Sequence, residues 1–86
     1  MASYRIEWKP SALKELRKLP ESSVIRIVAA VEALKEKPFP HGSKKLTGGR
    51  SSYRLREGVY RVIYTVLMEL LVIEIVKVGH RKDIYR

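Results

Sequence analysis

The stretch YRLREGVYRVIY, residues 53–64, alternates polar and apolar side chains on both sides of a Glu-Gly pair. Such alternation is typical of a half-buried β-strand, and Gly58 can adopt the positive φ that a tight two-residue turn requires. The sequence therefore predicts a β-hairpin whose turn is formed by Glu57 and Gly58.

The arginines of this stretch gather on one side of the predicted hairpin. With that turn, Arg54 lies opposite Arg61, and Arg56 lies opposite Val59. Directly opposed residues share a face of a sheet, so all three arginines project to the same side. Because like charges placed opposite each other are destabilising, we expect this arginine face to bind an anion.

The second strand of this hairpin continues through the apolar run of residues 59–67, and one further strand is predicted in the run of residues 70–78. Runs this continuous are typical of central strands covered on one side by helices. The connection at Met68-Glu69 has no Gly, Asn or Asp, but it is short enough for a second hairpin. This register places Arg61 opposite Val76 and directs Glu74 and His80 toward the arginine face.

The N-terminal half predicts one strand and two helices. Residues 4–8 alternate as a strand does, and a helical stripe of leucines runs from Ser11 until Pro20. A second helix, with apolar residues spaced i, i+3, i+4 and i+7, begins at Glu21 and stops before Pro38. The short connection between the helices makes them antiparallel neighbours.

This order of elements predicts a single α+β domain over residues 1–86. Two N-terminal antiparallel helices pack on one face of a small, mostly antiparallel four-stranded sheet. Tyr60, Val62 and Tyr64 are expected to face the helices, and KKL at residues 44–46 can extend the sheet edge. The opposite face carries the arginines.

The charge of the chain points to an anionic partner. Eighteen lysines and arginines against nine acids give a formal net charge of +9. Between Lys44 and Arg61 six basic residues are opposed by a single acid, Glu57. This concentration favours a nucleic acid or an acidic protein as the partner, with Lys44, Lys45 and Arg50 in contact with it.

Composition excludes several classes of chemistry. The absence of cysteine removes disulfides and thiolate nucleophiles, and two histidines make a zinc site improbable, so neither metal nor cofactor is expected. No apolar run approaches the roughly 20 residues that cross a bilayer. We therefore expect a soluble cytoplasmic protein that makes no membrane contact.

Four motifs resemble those of RelE-type toxins, in the RelE/ParE superfamily of bacterial and archaeal toxin–antitoxin systems. They are PSALKELRKLP, which follows the opening strand, KKLTG, YRLREGVYRVIY and VKVGHRKDIYR. The resemblance extends over nearly the whole chain. The resemblance implies a RelE-like fold and cleavage of mRNA in the ribosomal A site. It also implies neutralisation by a cognate acidic or amphipathic antitoxin of the RelB kind.

The resemblance assigns roles to individual positions. The basic pair before the hairpin falls on Arg54 and Arg56, the arginine after it on Arg61, the arginine after the last strand on Arg81, and the C-terminal tyrosine on Tyr85. Two departures stand out: the hairpin turn is shorter here, and the sequence ends at Arg86 without the helix that some members carry.

These residue types suit metal-independent cleavage of RNA, in which the 2′-OH attacks the adjacent phosphorus and leaves a 2′,3′-cyclic phosphate. Arg61 and Arg81 are the expected transition-state stabilisers, since guanidinium keeps its charge and binds phosphate oxygens in pairs. Tyr85 is the candidate general base, and His80 is the alternative. Arg54 and Arg56 are expected to bind phosphate. Lys44, Lys45, Arg50, His80 and Lys82 complete the predicted RNA contacts.

Two other functions share these features. A ParE-like toxin would have the same fold but would inhibit gyrase. A non-catalytic RNA-binding module would need aromatic residues that stack on bases, and only Tyr53 and Tyr85 are predicted to be available for that.

Overall fold

The computed structural model describes residues 3–48 and 51–84, which form two helices and five strands. In chain order they are β1 (Arg5–Trp8), α1 (Pro10–Arg17), α2 (Glu21–Ala33), β2 (Lys44–Lys45), β3 (Ser52–Glu57), β4 (Tyr60–Leu67) and β5 (Val72–His80). The strands form one sheet in the order β1-β5-β4-β3-β2. β1 runs parallel to β5, and the other pairs are antiparallel.

The predicted α+β class is confirmed, and the strand count differs by one. The sheet has five strands instead of four because Lys44 and Lys45 pair with β3 as a two-residue edge strand. These lysines belong to the KKL segment that was expected at the sheet edge.

Local hydrogen bonds fix the helix boundaries. Pro10 is the first residue of α1, where its fixed φ is suited to helix and its missing N–H costs nothing. α2 ends at Ala33, before the expected limit. The N–H groups of residues 34–36 donate to carbonyl oxygens three residues earlier, as in a 3₁₀-helix, instead of four residues earlier. The Lys35 carbonyl then accepts the Tyr4 N–H at 3.0 Å, which joins the end of α2 to the chain entering β1.

Both helices pack on one face of the sheet, where α1 contacts β5 and α2 contacts β3. Val62 and Tyr64 are fully buried there, and Tyr60 packs against the same core, as predicted. The core consists of Ala12, Leu16, Ile27, Val31, Leu34, Leu55, Val62, Tyr64, Val66, Ile73, Ile75 and Val78.

The β3–β4 hairpin turns one residue later than predicted. Gly58 and Val59 form the loop, and Glu57 pairs with Tyr60. Gly58 has a φ of 60° at the first loop position, where a type II′ turn places glycine. The predicted loop at Glu57-Gly58 is therefore wrong by one residue.

This shift changes the partners of the arginines but not their common face. Arg61 pairs with Arg56, and Arg54 pairs with Ile63. The partner of each residue moves by two positions, and side chains repeat their direction every second residue. The three arginines therefore still project to one side.

The β4–β5 connection is a four-residue loop over residues 68–71, not the predicted pair Met68-Glu69. A two-residue hairpin needs residues that tolerate positive φ, and neither Met68 nor Glu69 is suited to it. The chain instead places Leu71 at a φ of 54° at the end of a longer loop.

A β-bulge at Val76 changes the alternation in the second half of β5. Ile63 pairs with Lys77, and the next residue, Tyr64, pairs with Ile75, so Val76 is the extra residue between them. Such a bulge redirects the side chains that follow it.

Two predicted pairings are therefore wrong, the one at Glu74 because of the longer loop and the one at Arg61 because of the loop and the bulge together. Arg61 faces Gly79 instead of Val76, and Glu74 faces Thr65, four residues further along β4 than Arg61.

Candidate nucleic-acid interface

Cations from four strands gather on the sheet face that the helices leave open. Lys44 pairs with Arg54 across β2 and β3, Arg56 pairs with Arg61 across β3 and β4, and Lys77 follows on β5. We call this surface the basic face. It comprises Lys44, Arg54, Arg56, Arg61 and Lys77.

Arg61 lies at the centre of the basic face, and its side chain is held in place by the backbone. It is only 9% exposed. Its Nη1 donates to the carbonyl oxygens of Gly58 and Tyr60, at 2.8 and 2.9 Å. A guanidinium fixed in this way needs no rearrangement to meet an anion. Arg56, directly across the ladder, is exposed.

The side chain of Arg54 is less exposed to solvent than that of Arg56. It is half-buried, and its Nε is shielded from solvent. Lys44, its partner on the edge strand, is exposed. The basic face thus has a fixed centre at Arg61 and more accessible cations around it.

The C-terminal segment folds back over the basic face. The Arg81 N–H donates to the Val59 carbonyl at 2.7 Å, and the N–H groups of Asp83 and Ile84 reach the His80 carbonyl. Ile84 is buried and packs over Gly79, where an added Cβ would lie 3.2 Å from its Cδ1. Because Gly79 pairs with Arg61, this turn brings the end of the described chain beside the central arginine.

His80 lies on the other side of the sheet from the one predicted. It pairs with Tyr60, and the two rings meet edge to face with centroids 5.9 Å apart. The bulge at Val76 is the reason, since it reverses the alternation before His80. The His80 Nδ1 accepts the Lys82 N–H at 3.1 Å.

The remaining predicted site residues lie in different parts of the molecule. Lys44 belongs to the basic face, whereas Lys45 pairs with Tyr53 and so shares the helix side of the sheet. Arg81 and Lys82 are exposed in the C-terminal turn. Arg50 and Tyr85, the candidate general base, lie outside the described residues.

The aromatic residues of the hairpin are packed, not presented for stacking. Tyr53 stacks on Tyr64 with ring centroids 5.7 Å apart and meets Phe39 at 4.9 Å. Tyr64 donates its hydroxyl to the Pro38 carbonyl at 2.8 Å, and burial raises the pKa of this phenol. The prediction that Tyr53 is available to stack on a base is therefore wrong.

The acidic side chains of β3 and β5 lie away from the centre of the basic face. Glu57 pairs with Tyr60 and faces the helix side, where it lines a cavity of about 280 Å³ with Ser23 and Arg26. Glu74 lies on the open face, paired with Thr65 of β4 and with Glu7 of β1. Asp83 differs from them, because it is exposed in the C-terminal turn beside the basic face.

Sequence reasoning missed two residues of this region. Lys77 reaches the basic face through the bulge, and the adjacent apolar pair Ile75-Val76, which interrupts the alternation, was the available signal. Glu15 of α1 accepts the Val78 N–H at 3.0 Å, beyond the point where β1 ends at Trp8. No local pattern in the sequence predicts that contact.

Among residues 3–48 and 51–84, no three His, Asp or Glu side chains cluster as metal ligands. Within the same ranges, no helix is long and apolar enough to cross a membrane.

Comparison with known proteins identifies the family. Residues 6–85 match the model of the ParE toxin of the type II toxin–antitoxin system parDE. The chain is 34% identical over 86 residues to RelE1 of Methanocaldococcus jannaschii, with 96% of each chain covered. It belongs to the RelE/ParE superfamily, as a RelE-type toxin. This RelE-type toxin is also 30% identical to RelG of Mycobacterium tuberculosis over 84 residues, covering 96% of this chain and 97% of RelG.

Solved structures show the same fold for other RelE proteins. The RelE-type toxin superposes on RelE from the Pyrococcus horikoshii RelE–RelB complex with a TM-score of 0.84 and 32% identity, covering 94% and 98% of the two chains. It superposes on isolated Escherichia coli RelE with a TM-score of 0.80 and 28% identity, covering 91% and 84%. The chain is therefore a toxin of a type II toxin–antitoxin system with a RelE fold.

Proposed function

We propose that this toxin is an endoribonuclease that cuts mRNA in the ribosomal A site. The observation that carries the proposal is Arg61, nearly buried, bonded to two carbonyl oxygens and opposed by Arg56 on an open sheet face. Two directly opposed guanidiniums repel each other, and a bound anion relieves that repulsion. The phosphate of an RNA chain is the anion that suits paired guanidinium forks.

The reaction that this arrangement suits is attack by the RNA 2′-OH on its own phosphorus. The 2′-oxygen loses its proton and bonds to phosphorus. The 5′-oxygen of the next nucleotide leaves and takes up a proton. Arg61 and Arg81 stabilise the added charge on the phosphorane, and Arg54 and Arg56 bind the phosphate chain. The nucleophile belongs to the substrate, so the mechanism needs neither a metal nor a cofactor.

Proton transfer is assigned to Tyr85, with His80 as the alternative. The chain turns onto the basic face at Ile84, which supports a role for the next residue there. The ring of His80 is directed to the helix side against Tyr60, and its Nδ1 already accepts a hydrogen bond. Both observations favour the tyrosine over the histidine.

Single-turnover cleavage on programmed ribosomes tests the proposal. The product ends should be a 2′,3′-cyclic phosphate and a 5′-hydroxyl, and Tyr85→Phe should slow cleavage by about 10² to 10⁴-fold while ribosome binding survives. An unimpaired Tyr85→Phe beside an inactive His80→Ala would transfer the proton role to His80. Absence of cleavage by the parent toxin would refute the nuclease function.

Inhibition of gyrase is the second candidate function, because the matching family model is that of the ParE toxin. A supercoiling assay with purified gyrase separates the two functions. Loss of supercoiling without RNA cleavage would establish the ParE-like activity. RNA binding without either effect would establish a non-catalytic module.

We also propose that a RelB-like antitoxin neutralises this toxin by laying an acidic or amphipathic segment across the basic face. RelE proteins of Pyrococcus horikoshii, Escherichia coli and Methanococcus jannaschii form complexes with RelB. A formal charge of +9 favours association with an acidic segment, and the affinity should fall as salt is added. A dissociation constant that does not change between low and physiological salt would contradict this mode of binding.

A further inference from the structure

Lys77 reaches the basic face only because of the bulge at Val76. Without the extra residue, the alternation of β5 would direct Lys77 to the same side as Ile75, into the core, and Val78 to the open face. The bulge lets β5 contribute Ile75 and Val78 to the core and Lys77 to the open face. A lysine with one charge and three donors thereby joins the arginines of β3 and β4.

The cross-strand register fixes the position of Lys77 within this surface. Arg54, Ile63 and Lys77 lie directly across β3, β4 and β5, so the backbones of the two cationic residues are separated by two strand spacings, about 10 Å. The half-buried Ile63 lies between them. The next row of the open face, two residues along β4, contains Arg56, Arg61 and Gly79.

This arrangement is larger than one phosphate requires. A single phosphate at Arg61 and Arg56 would not span the distance between Arg54 and Lys77. A chain of phosphates would span this distance, with a ribose or base lying on the apolar surface of Ile63. Lysine suits the outer contact, because it binds as a point charge on a flexible stem, whereas the arginine fork imposes a fixed orientation.

We infer that Lys77 binds an RNA phosphate adjacent to the one that is cleaved, and so positions the substrate without taking part in the chemical step. The inference rests on the nuclease function proposed above. It adds a substrate contact on β5, on the opposite side of Arg61 from the phosphate-binding arginines of β3.

The test compares Lys77→Met, which removes the charge but keeps the length of the side chain, with Lys14→Met on the exposed side of α1. Affinity for a short RNA with 2′-O-methyl groups, which cannot be cleaved, is measured as a function of salt. One lost phosphate contact should lower affinity about fivefold at roughly 0.1 M salt and reduce the slope of log K against log salt by about 0.7. Lys14→Met should bind as the parent does, and Lys77→Arg should keep most of the affinity.

Cleavage on programmed ribosomes supplies the second measurement. Lys77→Met should require more toxin for half-maximal cleavage while the rate at saturation stays at the parent value. An unchanged affinity and salt slope, or a loss confined to the rate at saturation, would overturn the role of Lys77 and leave the nuclease function standing. Weakened binding of the antitoxin with unchanged RNA affinity would assign Lys77 to the protein interface instead. Absence of RNA binding and cleavage in the parent would refute the nuclease function itself.

Discussion

Arg61 shows how one residue serves both the fold and the proposed chemistry. Its Nη1 bonds to the Gly58 and Tyr60 carbonyl oxygens hold the hairpin turn, and they also fix the guanidinium on the open face. A lysine at this position would keep the charge but lose the planar fork. The geometry of the side chain, more than its charge, is what we expect cleavage to require.

Arg61→Lys should therefore lower the single-turnover rate by about 10² to 10³-fold, the cost of losing one well-placed transition-state donor. It should also lower the free energy of unfolding by about 1 kcal/mol, since the turn loses hydrogen bonds near the surface. Arg56→Lys is the matched control, because Arg56 is exposed on the opposite strand and should tolerate lysine with a smaller loss of rate. Parent-like cleavage by Arg61→Lys would show that the site lies elsewhere.

Tyr64 predicts how stability depends on alkaline pH. Burial raises the pKa of its phenol in the folded state, so at high pH the unfolded chain has released a proton that the folded chain still holds. Stability from this residue is complete below the unfolded pKa of ~10 and is lost as the pH rises through the folded value. Tyr64→Phe should flatten this alkaline decline, at a cost of about 1 kcal/mol for the unpaired Pro38 carbonyl.

Urea unfolding over a series of alkaline pH values measures this difference directly. The comparison is made between variants at each pH and not between pH values for one protein. Tyr60→Phe, which removes a hydroxyl group elsewhere on the same strand, is the control and should keep the decline of the parent. Equal slopes for Tyr64→Phe and the parent would contradict the assignment.

Among the elements, the end of β5 depends on the absence of a side chain at Gly79. Gly79→Ala places a methyl group 3.2 Å from Ile84 Cδ1, so the Ile84 side chain must give way by a few tenths of an ångström. We expect a loss of about 1 kcal/mol in the free energy of unfolding and slower RNA cleavage, because the turn beside Arg61 then packs less closely.

Ile84→Val removes the methyl group that the alanine meets. Alone it should cost about 0.5 to 1.5 kcal/mol, but combined with Gly79→Ala it should cost less than the sum of the two. The coupling can be measured by thermal unfolding of the four proteins in the cycle. Strictly additive effects would show that the turn does not pack over Gly79 in solution.

The two hairpins show what the sequence can predict at the level of elements. The β3–β4 turn is displaced by one residue, yet each partner moves by two positions, so Arg54, Arg56 and Arg61 share a face in both registers. The β4–β5 loop is longer than predicted, but this difference does not change the side of the sheet that the residues face. Glu74 stays on the open side. Periodicity therefore predicts faces more securely than pairings.

The bulge at Val76 marks the limit of this reasoning. It changes the alternation within one strand, and every side chain after it, including Lys77 and His80, follows the new pattern. Its cause is tertiary: Ile75 and Val78 both enter the core beneath α1, and Glu15 of α1 bonds the Val78 N–H. Contacts between distant segments of this kind cannot be read from the local order of residues.

At the scale of the whole molecule, the parallel pairing of β1 with β5 joins the start of the chain to its last strand. β5 lies between β1 and β4 in the sheet and contributes Ile73, Ile75 and Val78 to the core. During synthesis, β1 and the two helices emerge first, and the strand against which β1 and α1 pack is made after them. Contacts so distant in sequence form late in folding.

A toxin of this topology should therefore remain unfolded on the ribosome that is translating it until residues 72–80 have left the exit tunnel. Nascent chains held by a C-terminal linker just long enough to expose residues up to Leu67 should be cut rapidly by a protease, whereas a longer linker that also exposes His80 should make the chain resistant. Equal resistance at both lengths would show that the N-terminal half folds without β5. If the prediction holds, the order of strands protects each translating ribosome from the protein it is making, since Arg54, Arg56 and Arg61 are synthesised before the strand that completes their sheet.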